Sequence, residues 1–155
     1  MATVKPIPEG YPRVIPYLSI DGATAALDFY KNVFGAKERV RMPAPEGKIG
    51  HAELELGDSV VMLADVFPGM SAPSPKTLGG TPVSIMVYVE DVDSVFDRAL
   101  KAGAKAERPV ENQFYGDRVG QFEDPFGHKW FVATHVEDVS PEEMEKRAAA
   151  AMAAG

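Results

Sequence analysis

His51 and Glu53 stand two residues apart in the run Gly50-His51-Ala52-Glu53-Leu54-Glu55. Ile49 to Leu56 alternates as a strand does, so the imidazole and the carboxylate face the same side. Such a pair suits two kinds of chemistry. An imidazole beside a carboxylate moves protons. The same groups, with Glu55 extending the row, hold a divalent ion if another ligand arrives from elsewhere. The sequence shows no reliable third ligand. A polar strand face touching water or another subunit is the simpler reading of the row. Tyr88 is the other candidate acid or base. His128 falls in a turn and His135 near the end of the last strand, where surface or capping roles are the simpler reading. Glu53 and Asp65 would make a carboxylate pair, but strand parity turns Asp65 toward the helices.

Several chemistries are excluded at once. There is no cysteine, hence no disulfide, thiolate metal site or Cys nucleophile. No Gly-x-Ser-x-Gly elbow, P-loop or dinucleotide fingerprint occurs. Gly79-Gly80 precedes a strand rather than a helix, so it does not present phosphate to a helix N-terminus. Sixteen basic against 23 acidic residues give a net charge of −7. That balance excludes a general nucleic-acid binder, which needs cations to displace phosphate counterions. With 45% hydrophobic and 25% charged residues, the 155-residue chain folds rather than remaining disordered. No apolar run reaches the length of a membrane span, and Met1 to Gly10 lacks a signal-peptide pattern. A cytoplasmic protein is the expectation.

The elements that must position these residues follow from periodicity. Residues 1–13, with Pro6, Pro8 and Gly10, read as a loose N-terminal arm. Residues 14–65 form a first module. Val14 to Ile20 is a strand in which Pro16 demands an edge position or a broken pairing. A helix follows, with Ala23, Ala26, Leu27, Tyr30 and Phe34 on one stripe and Gly35 as its stop. Ala36 to Met42 is a strand, and Ile49–Leu56 with Ser59–Asp65 makes a hairpin about Gly57-Asp58. Residues 66–81 read as a linker loop. Residues 82–137 repeat the plan: strand Pro82–Val89, helix Asp91–Ala102 with Val92, Val95, Phe96 and Ala99 inward, then strands Lys105–Val110, Asp117–Glu123 and Lys129–Val136. Gly35-Ala36-Lys37 recurs as Gly103-Ala104-Lys105, each time after a helix, which supports an internal repeat. In residues 138–155, Ser140-Pro141-Glu142-Glu143 is a capping box that opens a helix to about Met152. Its apolar face is mostly alanine, so it docks weakly or completes a subunit contact.

Larger motifs carry a resemblance. Ala26-Leu27-Asp28-Phe29-Tyr30 with Val33-Phe34-Gly35-Ala36, and Phe122-Glu123-Asp124-Pro125-Phe126-Gly127-His128-Lys129-Trp130, form the pattern A-x-x-F-Y-x-x-x-F-G-A followed by D-P-x-G-x-x-W. This pattern resembles the vicinal-oxygen-chelate superfamily of glyoxalases, bleomycin-resistance proteins and extradiol dioxygenases. His51-Ala52-Glu53-Leu54 before Gly57-Asp58-Ser59 is similar to its PhnB-like branch. The resemblance spans about Val14 to Glu137. It implies an α+β fold of two tandem βαβββ modules, with curved sheets around a cleft and a C-terminal helix, and a homodimer. Metal-dependent members place ligands on the first and last strands of each module. The corresponding positions here are Ile15, Met62, Ser84 and Phe131, which lack the imidazole, carboxamide or carboxylate donors a divalent ion needs. The expectation is therefore no metal at that site and no cofactor.

Alternation then sorts the cleft lining. Tyr17 and Ser19 accompany Ile15, Val60 and Ala64 accompany Met62, and Met86 and Tyr88 accompany Ser84. Leu18, Ile20, Val61, Leu63, Ile85, Val87, Trp130 and Val132 pack under the helices. The candidate ligand-binding set is Tyr17, His51, Glu53, Met62, Ser84, Met86, Tyr88 and Phe131, capped by Phe114, Tyr115 and Arg118 from the loop Glu111–Arg118. The loop Val66–Gly80, with Phe67 and Met70, is a second cover. Such a lining suits a largely apolar or aromatic small molecule and not a phosphate or small acid, since Lys129 is the only inward cation. The leading expectation is a metal-free small-molecule binder. A metal-free or atypical-metal enzyme (lyase, isomerase or dioxygenase type) and a structural or regulatory dimer with a filled cleft are the alternatives.

Overall fold

A computed structural model of the chain describes residues 3–69 and 72–155. Met70 therefore lies outside the described residues. The chain divides into two compact units, residues 1–80 and 81–155.

The first unit holds strand β1 (Tyr17–Ile20), helix α1 (Ala23–Phe34), strands β2 (Lys37–Pro43), β3 (Ile49–Leu56) and β4 (Ser59–Asp65), and a short helix α2 (Pro75–Leu78). Its sheet runs β1-β4-β3-β2, with β1 parallel to β4 and the other pairs antiparallel. The second unit repeats this with β5 (Ser84–Tyr88), helix α3 (Val92–Lys101), β6 (Lys105–Asn112), β7 (Asp117–Glu123) and β8 (Lys129–His135), ordered β5-β8-β7-β6, and adds helix α4 (Pro141–Ala154). The two βαβββ modules are thus as expected.

Local chemistry explains the boundaries. β1 begins at Tyr17 rather than Val14. Pro16 has no N–H to give, and its carbonyl accepts from Met62 N at 2.9 Å, so pairing starts just beyond it, on an edge strand. Helix α1 starts behind Gly22, which is left-handed and offers no side-chain cap. Asp65 takes over that role: its Oδ1 accepts from Gly22 N and Ala23 N, while Oδ2 accepts from Ile49 N. Parity had turned Asp65 toward the helices, and its carboxylate satisfies three backbone donors there. Ser74 caps α2, with Pro75 at its first position. This one-turn helix interrupts the stretch read as a linker loop, because four residues are too few to show a periodicity.

In the second unit Asp91 caps α3 through Ser94 N, and Thr134 Oγ1 accepts from Val92 N. Gly120 on β7 lets the helix approach. A Cβ there would lie 2.8 Å from the Phe96 ring and from Val110 Cγ2. The D-P-x-G-x-x-W motif also has a mechanical explanation. Asp124 Oδ1 accepts from Phe126 N and His128 N, and Oδ2 accepts from the indole N–H of the fully buried Trp130 at 2.9 Å. One carboxylate thus fixes both the turn and the core indole. Helix α4 has the expected Ser140 cap, with Glu143 N donating to its hydroxyl, but buries no residue. Arg147 holds it by a fork onto Glu137 and a bond to the Phe114 carbonyl.

Candidate functional site

In the first unit Leu18, Ile20, Leu54 and Leu63 are buried with α1. The opposite face carries Tyr17 paired with Met62, and Glu53 paired with Met62 on the other side. The arm covers part of this face. Tyr11 donates its hydroxyl to Glu53 Oε1 at 2.6 Å, and Arg39 lies 4.5 Å from the Tyr11 ring centroid while donating to the Gly10 carbonyl. The arm read as loose is therefore tied to β2 and β3. Between it and the sheet lies a cavity of about 650 Å³. Pro6, Ile7, Pro8, Tyr11, Pro12 and Arg13 line it from the arm, and Ile15, Glu53 and Met62 from below.

Glu53 is 6% exposed. Its Oε2 meets His51 Nε2 at 2.8 Å, and His51 Nδ1 meets the Tyr17 hydroxyl at 2.8 Å. An ionised carboxylate only accepts, so Nε2 carries hydrogen; in the neutral imidazole Nδ1 then accepts from Tyr17. The result is one chain, Tyr11–Glu53–His51–Tyr17. The Tyr11 hydrogen bond outweighs the opposing effect of burial and, with His51, holds Glu53 below the usual carboxylate range. Tyr17 is pushed above the ordinary phenol value, first by desolvation and then by the Glu53 charge. Four of the expected residues, Tyr17, His51, Glu53 and Met62, are thus brought together, and Glu53 and Met62 line the cavity itself. Tyr11 was missed. An aromatic residue amid Pro6, Pro8, Gly10 and Pro12 was the available signal, since such a side chain needs a surface to cover. Phe67 lies beneath the Lys48 ammonium, 5.4 Å from ring centroid to nitrogen, rather than among the cavity residues.

The second unit places its expected residues differently. Ser84 pairs with Lys129, Met86 with Phe131 and Tyr88 with Ala133, so these side chains share the face away from α3. Met86 and Tyr88 are exposed. The face is not simply apolar. Lys129 is held by Glu107 at 2.9 Å, and Tyr88 donates to Asp117 Oδ2 at 2.7 Å. Asp117 Oδ1 receives His135 Nδ1 at 2.7 Å, and His135 Nε2 meets Asp138 at 2.7 Å. Asp117 is buried, and desolvation pushes its carboxyl up; the hydrogen bonds from Tyr88 and His135 together outweigh that and leave it below the usual value. His135 is raised by Asp117 first and Asp138 second. Phe114 and Tyr115 meet edge to face at 5.3 Å in the turn before β7. Arg118 is placed elsewhere. It forks onto Asp93 of α3 at 2.8 Å and bonds Asn112, on the helix side of the sheet and away from Tyr88.

The side chains at the four positions expected to correspond to the family's metal ligands do not fit a divalent cation. Ile15 and Met62 line an apolar cavity wall, Ser84 is an exposed hydroxyl, and Phe131 has no donor. Among the described residues no group of three or more His, Asp or Glu side chains is placed to hold an ion. None of the helices among those residues is long and apolar enough to cross a membrane.

Comparisons with known proteins agree with this architecture. An uncharacterized protein of Mycobacterium bovis, Mb0911c, is 44% identical over 137 residues, covering 86% of this chain and 90% of that protein. The crystal structure of TioX from Micromonospora sp. ML1 is similar with a TM-score of 0.62 and 28% identity, over 83% of this chain and all of that one (100%). A PhnB protein from Bacillus cereus shares the fold at a TM-score of 0.63 and 18% identity, over 79% of this chain and 99% of that one. The family description "Glyoxalase/Bleomycin resistance protein/Dioxygenase superfamily" matches residues 17–132, three-quarters of the chain and both βαβββ modules, and the chain belongs to that superfamily.

Proposed function

We propose that this chain is a metal-free, small-molecule-binding member of its superfamily, holding a largely apolar or aromatic compound in the cavity of the first unit. The observation that carries this reading is the 650 Å³ space between the proline-rich arm and the Ile15–Met62–Glu53 surface. Its volume lies within the range of ligand pockets, roughly 300–1,000 Å³, and its walls are apolar with a few convergent polar groups. The test is a thermal-shift screen of aromatic and alicyclic compounds against purified protein. Saturable stabilisation by at least one chemotype is expected; no shift across the panel would refute the reading. Elemental analysis of protein purified without chelator is expected to show no stoichiometric Zn, Ni, Mn or Fe, and one bound equivalent would contradict the metal-free assignment.

One observation favours a second reading, that of a metal-free enzyme. The Glu53–His51–Tyr17 chain has the carboxylate–imidazole–hydroxyl order used for proton transfer. Mass spectrometry of a compound incubated with the protein separates the two. A binder returns it unchanged. An enzyme returns a product that fails to form with His51→Asn.

A further inference from the structure

The floor of the cavity carries a buried charge, whereas the charge on its arm side, Arg13, is exposed. Glu53 is 6% exposed and lines the space beside Ile15 and Met62. Each oxygen of an ionised carboxylate offers two acceptor sites. Tyr11 uses one at Oε1 and His51 one at Oε2, so each oxygen keeps a second. Among the described residues, no Lys or Arg side chain pairs with Glu53; its one basic neighbour within salt-bridge distance is the His51 imidazole. Arg39 donates to the Gly10 carbonyl and lies over the Tyr11 ring; its charge helps to lower the Glu53 carboxyl from a distance but fills neither of these acceptor positions. Arg13 also lines the cavity but is exposed, so water screens its charge far more than it screens the buried carboxylate.

Resting on the ligand-pocket reading above, we infer that the cavity selects organic cations: ring-bearing amines whose N–H groups donate to the free positions of the Glu53 carboxylate while the ring lies against Ile15 and Met62. A charge-assisted N–H···O bond in a partly dry site is stronger than a neutral one. A neutral isostere forms only the weaker bond. An anionic isostere meets like charge, and its own carboxylate gains nothing from an acceptor-only floor. The arm supplies specificity by shape, since Ile7, Pro8 and Pro12 close the opposite wall.

Three probes of one shape test this: naphthylmethylamine, naphthylmethanol and naphthoate, titrated calorimetrically into the full chain and into Glu53→Gln. The amine is expected to bind the natural chain at least about tenfold more tightly than the alcohol, with naphthoate weakest. In Glu53→Gln the amine and alcohol are expected to converge to within about twofold, with alcohol binding retained. Equal binding of amine and alcohol by the natural chain would overturn the cation inference and leave the pocket reading standing. Failure of all three probes, together with a silent thermal-shift panel, would overturn both. Tightest binding of naphthoate would assign selectivity to Arg13 and overturn the inference. If Glu53→Gln does not fold, the three-probe series on the natural chain decides by itself.

Discussion

Glu53 and Asp117 are buried carboxylates, each holding a tyrosine and a histidine. The tyrosine in the first unit comes from the arm, so Tyr11→Phe tests how firmly the arm is latched. Loss of its hydrogen bond to the buried Glu53 carboxylate is expected to lower the urea midpoint and to make the arm sensitive to protease. Unchanged stability and unchanged cleavage would mean that the arm contributes nothing. His135 and Asp117 set a pH window for the second unit. His135 lies above its ordinary 6.5, so its contribution is complete below that value and fades as pH rises through the folded value. Asp117 lies below its ordinary 3.8, so its contribution is present above 3.8 and is lost as pH falls through the folded value. Stability is therefore expected to be greatest between those limits, and His135→Gln to flatten the alkaline decline measured by denaturation from about pH 6 to 9. A decline of equal slope in the variant would contradict the assignment. His51 and Glu53 were legible because strand alternation puts positions i and i+2 on one face. Tyr11 and Asp117 were not, because their partners stand 42 and 29 residues away and no local period encodes such contacts.

Helices α1 and α3 were visible as apolar periods, and the strands from short apolar or alternating runs and, for the polar β2 and β6, from their place after a helix and its glycine, whereas the ends of these elements depended on single atoms. Pro16 delays β1 by lacking a donor, and Asp65 caps a helix from the end of a strand. The first effect can be read from the residue type; the second needs the parallel pairing of Ile20 with Asp65. Asp65→Ala would strip three backbone donors of their acceptor and is expected to cost about 2–4 kcal/mol, read as a drop in Tm. Gly120→Ala would drive a methyl into Phe96 and Val110 and is expected to cost about 1–3 kcal/mol by overpacking. A Gly120→Ala chain as stable as the natural one would show that α3 does not pack on β7 at this distance. Arg118 illustrates the limit of reading faces from a loop. The run Glu111–Arg118 straddles the end of β6 and the start of β7, so the side on which Arg118 emerges depends on where β7 begins. It emerges beside Asp93, opposite Asp117.

Duplication of the βαβββ plan gives each unit its own sheet and its own polar chain on the face away from the helix. The two faces differ in what accompanies that chain. The arm overlies the first and walls one side of an open cavity, while β5 in the second exposes Met86 and Tyr88. Self-association through exposed apolar strand residues is our expectation, and light scattering should give twice the 16.7 kDa chain mass. The architecture was legible from motifs spaced along the whole chain. The cavity was not, because the arm that walls it carries no periodicity. Methyl NMR of isotope-labelled Ile and Met, titrated with the compound giving the largest thermal shift, tests the binding account most directly. The account predicts that Ile7, Ile15 and Met62 shift together and saturably while Ile85 and Met86 stay fixed. Shifts confined to Ile85 and Met86, or none at Ile7, Ile15 and Met62, would contradict it.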